Sequence, residues 1–289
     1  MDPTRISGRA GRAFRFFVGL HQPADAAHFD ACCISINRLR GRHKHVRCAD
    51  VIVDSGAFTE LARHGHYRHP VEDYAAELCR LYRDGVVGIR AAVAQDYMCE
   101  PAMLARTGLT IRAHQRLTIA RYDDLIAELG RRFPGSCPFA VIPVLQGYAP
   151  AEYVRHIHSY GRRLTAGMWV GVGSVCKRNG APHAIVEILR AIKSVRPDLR
   201  LHGFGLKRTA LEDQAVRSLL ASADSMAWSF AARRQGRNPN CWMEARRFAA
   251  AIAAIGDRRD RPRSDIRSVP IAAGLERAAP LIALKGPQP

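Results

Sequence analysis

Short β-branched runs alternate with longer amphipathic runs along the chain. The apolar runs predict strands at Phe14–Gly19, Cys33–Asn37, Val51–Asp54, Ala91–Gln95, Val141–Gln146, Trp169–Gly173, Leu201–Leu206 and Asp224–Ser229. Between them, apolar residues recur at three- and four-residue spacing, the signature of a helix with one buried face. That spacing predicts helices over Val71–Arg83, Ile111–Leu129, Ala151–Arg163, Ala184–Ser194, Ala210–Ala221 and Trp242–Ile255, and Pro70, Pro150 and Pro182 stand where three of them start. Strands alternating with helices imply a parallel sheet, and eight such units imply an α/β fold of the (β/α)8 TIM-barrel type in a single domain. A doubly wound open sheet is the alternative, because no clear helix is predicted between the second and third strands. The expected organisation is a basic N-terminal arm (1–13), a barrel (14–255) and a loosely ordered tail (256–289).

Composition changes this picture in one respect. The chain has 289 residues, with 44 Lys and Arg against 26 Asp and Glu, a formal charge of +18. A surplus of that size favours a polyanionic partner, since basic side chains release counterions from phosphates. An Arg-rich genome with solvated helix faces explains part of it. No apolar run reaches the ~20 residues of a membrane span, so no membrane partner is expected. The basic start lacks the apolar centre of a signal peptide, which predicts a cytoplasmic protein. The eight Cys are dispersed without a CxxC pair, so free thiols are expected. The loop Arg63–His69 holds three His but no carboxylate, and reads as a basic surface loop rather than a metal site.

In a parallel barrel, side chains at the C-terminal strand ends face the substrate. Here those ends carry Asp54-Ser55-Gly56-Ala57-Phe58, Asp96-Tyr97, Gln146-Gly147, Gly171-Val172-Gly173-Ser174, His202–Lys207 and Asp224–Ser229. Singly, an Asp after a strand is often a helix N-cap and a Gly a tight turn. Three carboxylates and a Gln at equivalent positions in four units make a polar ring over an apolar barrel, suited to reading a heterocycle.

These runs resemble the tRNA-guanine transglycosylase superfamily, and in particular its short branch, often phage-encoded, that inserts 7-deazaguanine bases into DNA. The resemblance covers about Phe14 to Phe248. Asp54–Phe58 is similar to the family's Asp-Ser-Gly-Gly-Phe, Asp96 matches its base-reading Asp, and Gln146-Gly147 its Val-Gln-Gly. Gly171–Ser174 matches its Gly-rich strand end, and Asp224–Arg237 resembles its last strand and following Arg-Ser-Gly-Arg. The resemblance implies a pentosyltransferase that replaces guanine in DNA with a preQ0-like base through an Asp covalent intermediate, in a bacterium or a phage-infected host. It implies Asp54 and Asp224 as catalytic residues, and Asp96, Gln146, Gly147, Gly171, Gly173 and Ser174 as base-binding. Phe58 or Tyr97 could stack on the base. Lys177, Arg178, Lys207, Arg233, Arg234 and Arg237 are candidates for phosphate contacts. The implied partners are DNA and a free 7-deazaguanine base, with homodimerisation open. The same exchange on tRNA, and a catalytically inactive nucleic-acid-binding barrel, are the alternatives.

Two departures matter. The zinc site of the tRNA enzymes is reduced here to Cys241, so no zinc subdomain, metal or other cofactor is expected. Gap-free alignment sets Ala227 against the family's nucleophile and Asp224 against an earlier Asp. Either Asp224 attacks through a shifted register, or Asp54 substitutes.

Overall fold

Proline 143 decides how the sheet closes. The computed structural model describes residues 14–260. Its strands are β1 (Arg15–Gly19), β2 (Ala31–Ser35), β3 (Val46–Asp54), β4 (Val87–Val93), β5 (Ala140–Ile142), β6 (Val144–Leu145), β7 (Trp169–Val172), β8 (Arg200–Gly203) and β9 (Ser222–Ser225). They form one sheet in the order β5-β4-β3-β2-β1-β9-β8-β7-β6, and every pair is parallel. β5 and β6 are one chain segment interrupted at Pro143, which has no N–H to give to a ladder. On one side the Ile142 carbonyl accepts from Ala94 N–H at 3.0 Å, and on the other the Pro143 carbonyl accepts from Gly171 N–H at 2.8 Å. The sheet therefore begins and ends on the same segment, and the eight expected units give a single α/β barrel rather than an open sheet.

Side-chain alternation sorts the two faces of each strand. Val51 and Val53 of β3 point outward into a large apolar layer under the helices, with Tyr74, Leu78, Leu125 and Ile188, whereas Ile52 points inward. The inner cluster is small: Phe17, Cys33, Ile52, Ala91, Val93, Ile142 and Val144, with Trp169 and Phe204 against it. Two residues beyond Ile52 the same alternation brings Asp54 inward. It does likewise for Asp224 on β9, whose neighbour Ala223 is in the outer layer, and for His202 on β8.

Several boundaries differ from those expected, and three of them have a local cause. β2 ends at Ser35, not Asn37, because Ser35 caps a short helix, Ile36–Leu39, by accepting from Asn37 N–H at 3.4 Å. The helix expected over Ala210–Ala221 is two, Arg208–Glu212 and Gln214–Leu219, because Asp213 between them caps the second with bonds from Ala215 and Val216 N–H. The last strand runs over Ser222–Ser225 instead of Asp224–Ser229. Ala227 opens a helix, Ala227–Arg234, and Trp228 is buried with its indole N–H on the Gly19 carbonyl at 2.8 Å. Asp224 thereby lies near the C-terminal end of a barrel strand. The final helix, Trp242–Asp260, runs past the expected barrel boundary; the arm at 1–13 and the tail beyond Asp260 lie outside the described residues.

Candidate active site

The C-terminal ends of the strands surround a cavity of about 470 Å³. Asp54, Asp96 and Asp224 line it together with Gln146, Gly173 and Ser174, so six of the eight expected catalytic and base-binding residues meet in one space. Gly147 and Gly171 do not line it. A Cβ at Gly171 would lie 2.3 Å from the Phe204 ring, and one at Gly147 3.0 Å from Glu152 and Tyr153.

Asp54 ends β3 and accepts from Gly56 N–H at 3.0 Å. Gly56 needs its glycine, with φ +78° and a would-be Cβ only 2.6 Å from the Asn37 side-chain amide. Burial pushes the Asp54 carboxyl up to about 6, and the Asp224 charge adds to this while the Gly56 N–H opposes it. Asp96 is also buried and is pushed up to about 7, first by burial and then by the negative charge of Asp54.

Gln146 is fully buried and joins two walls. Its amide N–H donates to Asp96 Oδ2, and its Oε1 accepts from Ser174 Oγ at 2.8 Å. Its backbone is pinned on both sides: N–H donates to His156 Nδ1 at 2.9 Å, and the carbonyl accepts from Gln115 Nε2 at 2.7 Å. Burial holds His156 down at about 4, so a neutral ring accepts that bond. A Cβ at Gly173 would come within 2.1 Å of Gln146 Nε2, so only glycine lets this amide lie flat against the strand. Ser174, at φ +58°, is the only non-glycine residue in the left-handed region among the described residues. Its hydroxyl also accepts from Cys99 N–H at 2.9 Å, which ties it to the loop after β4.

Asp224 has a different setting. Its Oδ1 accepts from Gly205 N–H at 3.1 Å and faces His202 Nε2 at 3.3 Å. His202 is fully buried, and its Nδ1 lies 2.9 Å from Ser222 Oγ, which also accepts the Trp169 indole N–H at 2.9 Å. An indole nitrogen can only donate. The order that satisfies all members therefore runs from Trp169 to the Ser222 oxygen, from the Ser222 hydroxyl to His202 Nδ1, and from His202 Nε2–H to Asp224.

Two stacking candidates separate. Phe58 lines the cavity and is 58% exposed. Tyr97 is buried against Tyr67 and His114, with ring centroids 5.6 and 5.5 Å away. The basic candidates ring the mouth with exposed aromatics. The Lys177 ammonium lies 5.6 Å over Phe58, Arg178 4.1 Å over Tyr148, and Lys207 and Arg234 at 5.7 and 6.0 Å over Phe230. Lys207, Phe230 and Arg234 line a second cavity of about 490 Å³ beside the first. Arg178 also donates to the carbonyls of Ser174 and Tyr148, and Arg237 is held by Glu244 at 2.9 Å. Arg233 is exposed on the helix after β9.

Sequence reasoning assigned no role to His202, Glu100, Cys176, His21 or Asn37. All but His202 line the cavity, and the inward alternation of β8 was the signal available for His202. Among the described residues no group of three or more His, Cys, Asp or Glu could hold a metal ion, and no helix is long and apolar enough to cross a membrane.

No curated protein matches the chain. Residues 14–260 match the DpdA family, described as DeoxyPurine in DNA protein A. That span takes in the whole barrel and every carboxylate of the cavity, and the chain belongs to this family of DNA 7-deazaguanine transglycosylases similar to the tRNA-guanine transglycosylases.

Proposed function

We propose that this chain exchanges a guanine in DNA for a 7-deazaguanine base by double displacement, with Asp224 as nucleophile and Asp54 as proton carrier. The observation that carries the division of labour is the contrast in hydrogen bonding. Asp224 accepts from Gly205 N–H and faces His202 Nε2, which fixes its carboxylate for attack, whereas burial raises the Asp54 carboxyl to about 6, which favours its acid.

In the first step an Asp224 oxygen attacks C1′ as the C1′–N9 bond breaks, and the electron pair leaves with the base. The transition state has oxocarbenium character, which the Asp224 charge stabilises. Asp54 gives its proton to the departing guanine and becomes a carboxylate. In the second step Asp54 takes the proton from the incoming base, whose N9 attacks C1′ and releases Asp224. Two inversions retain the β configuration. Asp96 faces the N1–H and exocyclic amine of the base, two donors that suit a carboxylate and draw it back to the charged form. Gln146 faces O6 with the amide hydrogen that Asp96 does not take, since the Gly173 N–H is already given to the Leu145 carbonyl at 3.0 Å. The target nucleotide leaves its stack at a cost of a few kcal/mol, with Lys177, Lys207 and Arg234 receiving the flanking phosphates.

The test is trapping. Wild-type protein, DNA and a free 7-deazaguanine base are denatured during turnover and resolved on a gel, with tRNA in a parallel reaction and nucleosides read by mass spectrometry. A protein–DNA adduct and a 7-deazaguanine nucleoside in DNA are expected. An adduct with tRNA alone would move the substrate to tRNA, and no adduct or exchange with either would leave a binding barrel without chemistry.

A further inference from the structure

One arc of the barrel mouth takes no part in the exchange chemistry. On the short way round the sheet from β9, which carries Asp224, to β3, which carries Asp54, stand only β1 and β2. The chain after β1 gives His21 to the cavity, and the chain after β2 gives Arg38. This arc contributes no carboxylate to the lining. His21 is fixed from the helix after β9: its Nε2 lies 2.8 Å from Ser229 Oγ, and its ring meets Trp228 edge to face with centroids 5.9 Å apart. Arg233 stands one helical turn beyond Ser229 and projects from the same face. Arg38 and Arg233 are both exposed, and neither makes an ion pair among the described residues. Both guanidinium charges are felt by His21, where, after burial, they hold the ring below the ordinary histidine value.

Like charges gathered without a counter-charge repel one another, and an anion placed among them turns that repulsion into attraction. Position says which anion reaches them. With the edge of the base on Asp96 and Gln146, the base points toward β4–β7, and C1′ lies between Asp224 and Asp54. The remaining substituents of the sugar then face the β1–β2 arc, and on a DNA strand those substituents end in phosphodiesters. A guanidinium fork pairs with phosphate oxygens through parallel N–H bonds, and a neutral imidazole still has one N–H to give.

We infer that His21, Arg38 and Arg233 form the site for a phosphodiester of the extruded nucleotide itself, apart from the flanking phosphates assigned to Lys177, Lys207 and Arg234, and that this grip sets C1′ against Asp224. This rests on the reading of the cavity as the base-exchange site. The three side chains exchange no bond or proton with the substrate; they position it.

Equilibrium dialysis of the full-length protein with 2′-deoxyguanosine and with its 5′- and 3′-(methyl phosphate) diesters tests it without requiring turnover or a known target sequence. One of the two diesters should bind the wild-type protein at least about tenfold more tightly than the nucleoside at low salt. Arg38→Gln and Arg233→Gln should each remove most of that advantage, and the double variant nearly all of it, with deoxyguanosine itself held as before. Glu244 already holds the Arg237 guanidinium, so Arg237→Gln should leave the advantage intact. An advantage that survives in the double variant, or is absent from wild type, overturns the inference and leaves the base site standing. A double variant that loses deoxyguanosine and the diesters in equal measure also overturns it, since the arginines would then serve the fold or the base. Failure of both guanine and deoxyguanosine to bind the wild-type protein removes the base site and this inference with it.

Discussion

The two sides of the barrel mouth surround their carboxylates with different neighbours. On the β3–β4 side, Asp54 feels the Asp224 charge and Asp96 that of Asp54, both carboxyls shielded from solvent. Asp54 has Gly56 as a local donor and Asp96 has Gln146, and both carboxyls rise toward neutrality, to about 6 and about 7. On the β8–β9 side, Asp224 sits against a backbone N–H and a buried imidazole whose far nitrogen is itself bonded. Burial beside like charge favours a carboxyl that keeps its proton. The proposed double displacement needs a proton carrier and a nucleophile, and Asp54 and Asp224 offer themselves for these roles from opposite walls.

The largest effect that would break this comparison is on the trapped adduct. Asp224→Asn should abolish both adduct and exchange, a loss of at least about 10³-fold. Asp54→Asn should slow release of guanine at pH 7 yet leave adduct detectable with a substrate whose leaving group needs no proton. Adduct lost only in Asp54→Asn reverses the two sides. In the wild-type protein, guanine release should fall as pH rises through about 6, where Asp54 gives up its proton, and that limb should be missing from the Asp54→Asn profile. His202 sharpens the same contrast. His202→Phe keeps a ring in the barrel but removes the donor to Asp224 and the acceptor for Ser222. It should lower the rate of adduct formation about 10–100-fold, with base affinity little changed because Asp96 lies on the other wall. A matched fall in base affinity would mark His202 as packing alone.

The sequence carried one side of the mouth better than the other, and the reason is local. Asp54, Asp96, Gln146 and Gly173 each follow an apolar run whose end is visible, so strand periodicity alone sets them at the mouth. Asp224 was misplaced relative to its strand because Met226-Ala227-Trp228 continues the apolar run after Ser225. Only the tertiary bond from the Trp228 indole to Gly19 assigns those residues to a helix. His202 and Ser222 gave no signal of a relay, since their pairing is a contact between neighbouring strands, 20 residues apart in the chain. Glu100 carried no signal, because it lies between the expected strand Ala91–Gln95 and a helix, Pro101–Thr107, that the spacing does not predict. The split of the fifth strand at Pro143 is written in the sequence, but its consequence, a sheet whose two ends meet, depends on the partners on both sides.

Asp96 offers an intermediate effect and a thermodynamic one. Asp96→Asn should weaken guanine-type bases by roughly 1–3 kcal/mol through loss of a charge-assisted pair, measured by equilibrium dialysis; unchanged binding would place the Watson–Crick edge elsewhere. The stability consequence has a definite sign. With its folded carboxyl raised to about 7 from an ordinary value of 3.8, the folded protein holds this proton more tightly than the unfolded chain does. Stability therefore falls as pH rises from about 4 to about 7, by up to a few kcal/mol. Asp54 acts in the same direction. Urea unfolding should show Asp96→Asn gaining on wild type between pH 4 and pH 8.

The smallest effect lies on the rim, where the difference between the walls should vanish. Lys177 stands over Phe58 on the β3 side, and Lys207 and Arg234 stand over Phe230 on the β8–β9 side. None of the three makes an ion pair among the described residues, so each cation is available to a phosphate while its partner ring is available to a base. If each neutralises one phosphate, neutral substitution of any one lowers the slope of log affinity against log salt by about 0.7–0.9. Lys177→Gln, Lys207→Gln and Arg234→Gln should each weaken DNA binding severalfold at low salt, converge with wild type as salt rises, and leave the pH limb assigned to Asp54 where it was. Arg237→Gln is the contrast, because Glu244 already holds its guanidinium; it should change thermal stability more than the salt slope. A slope that falls for Arg237 and for none of the other three would move the DNA track off the mouth of the barrel and onto the helix that ends at Asp260.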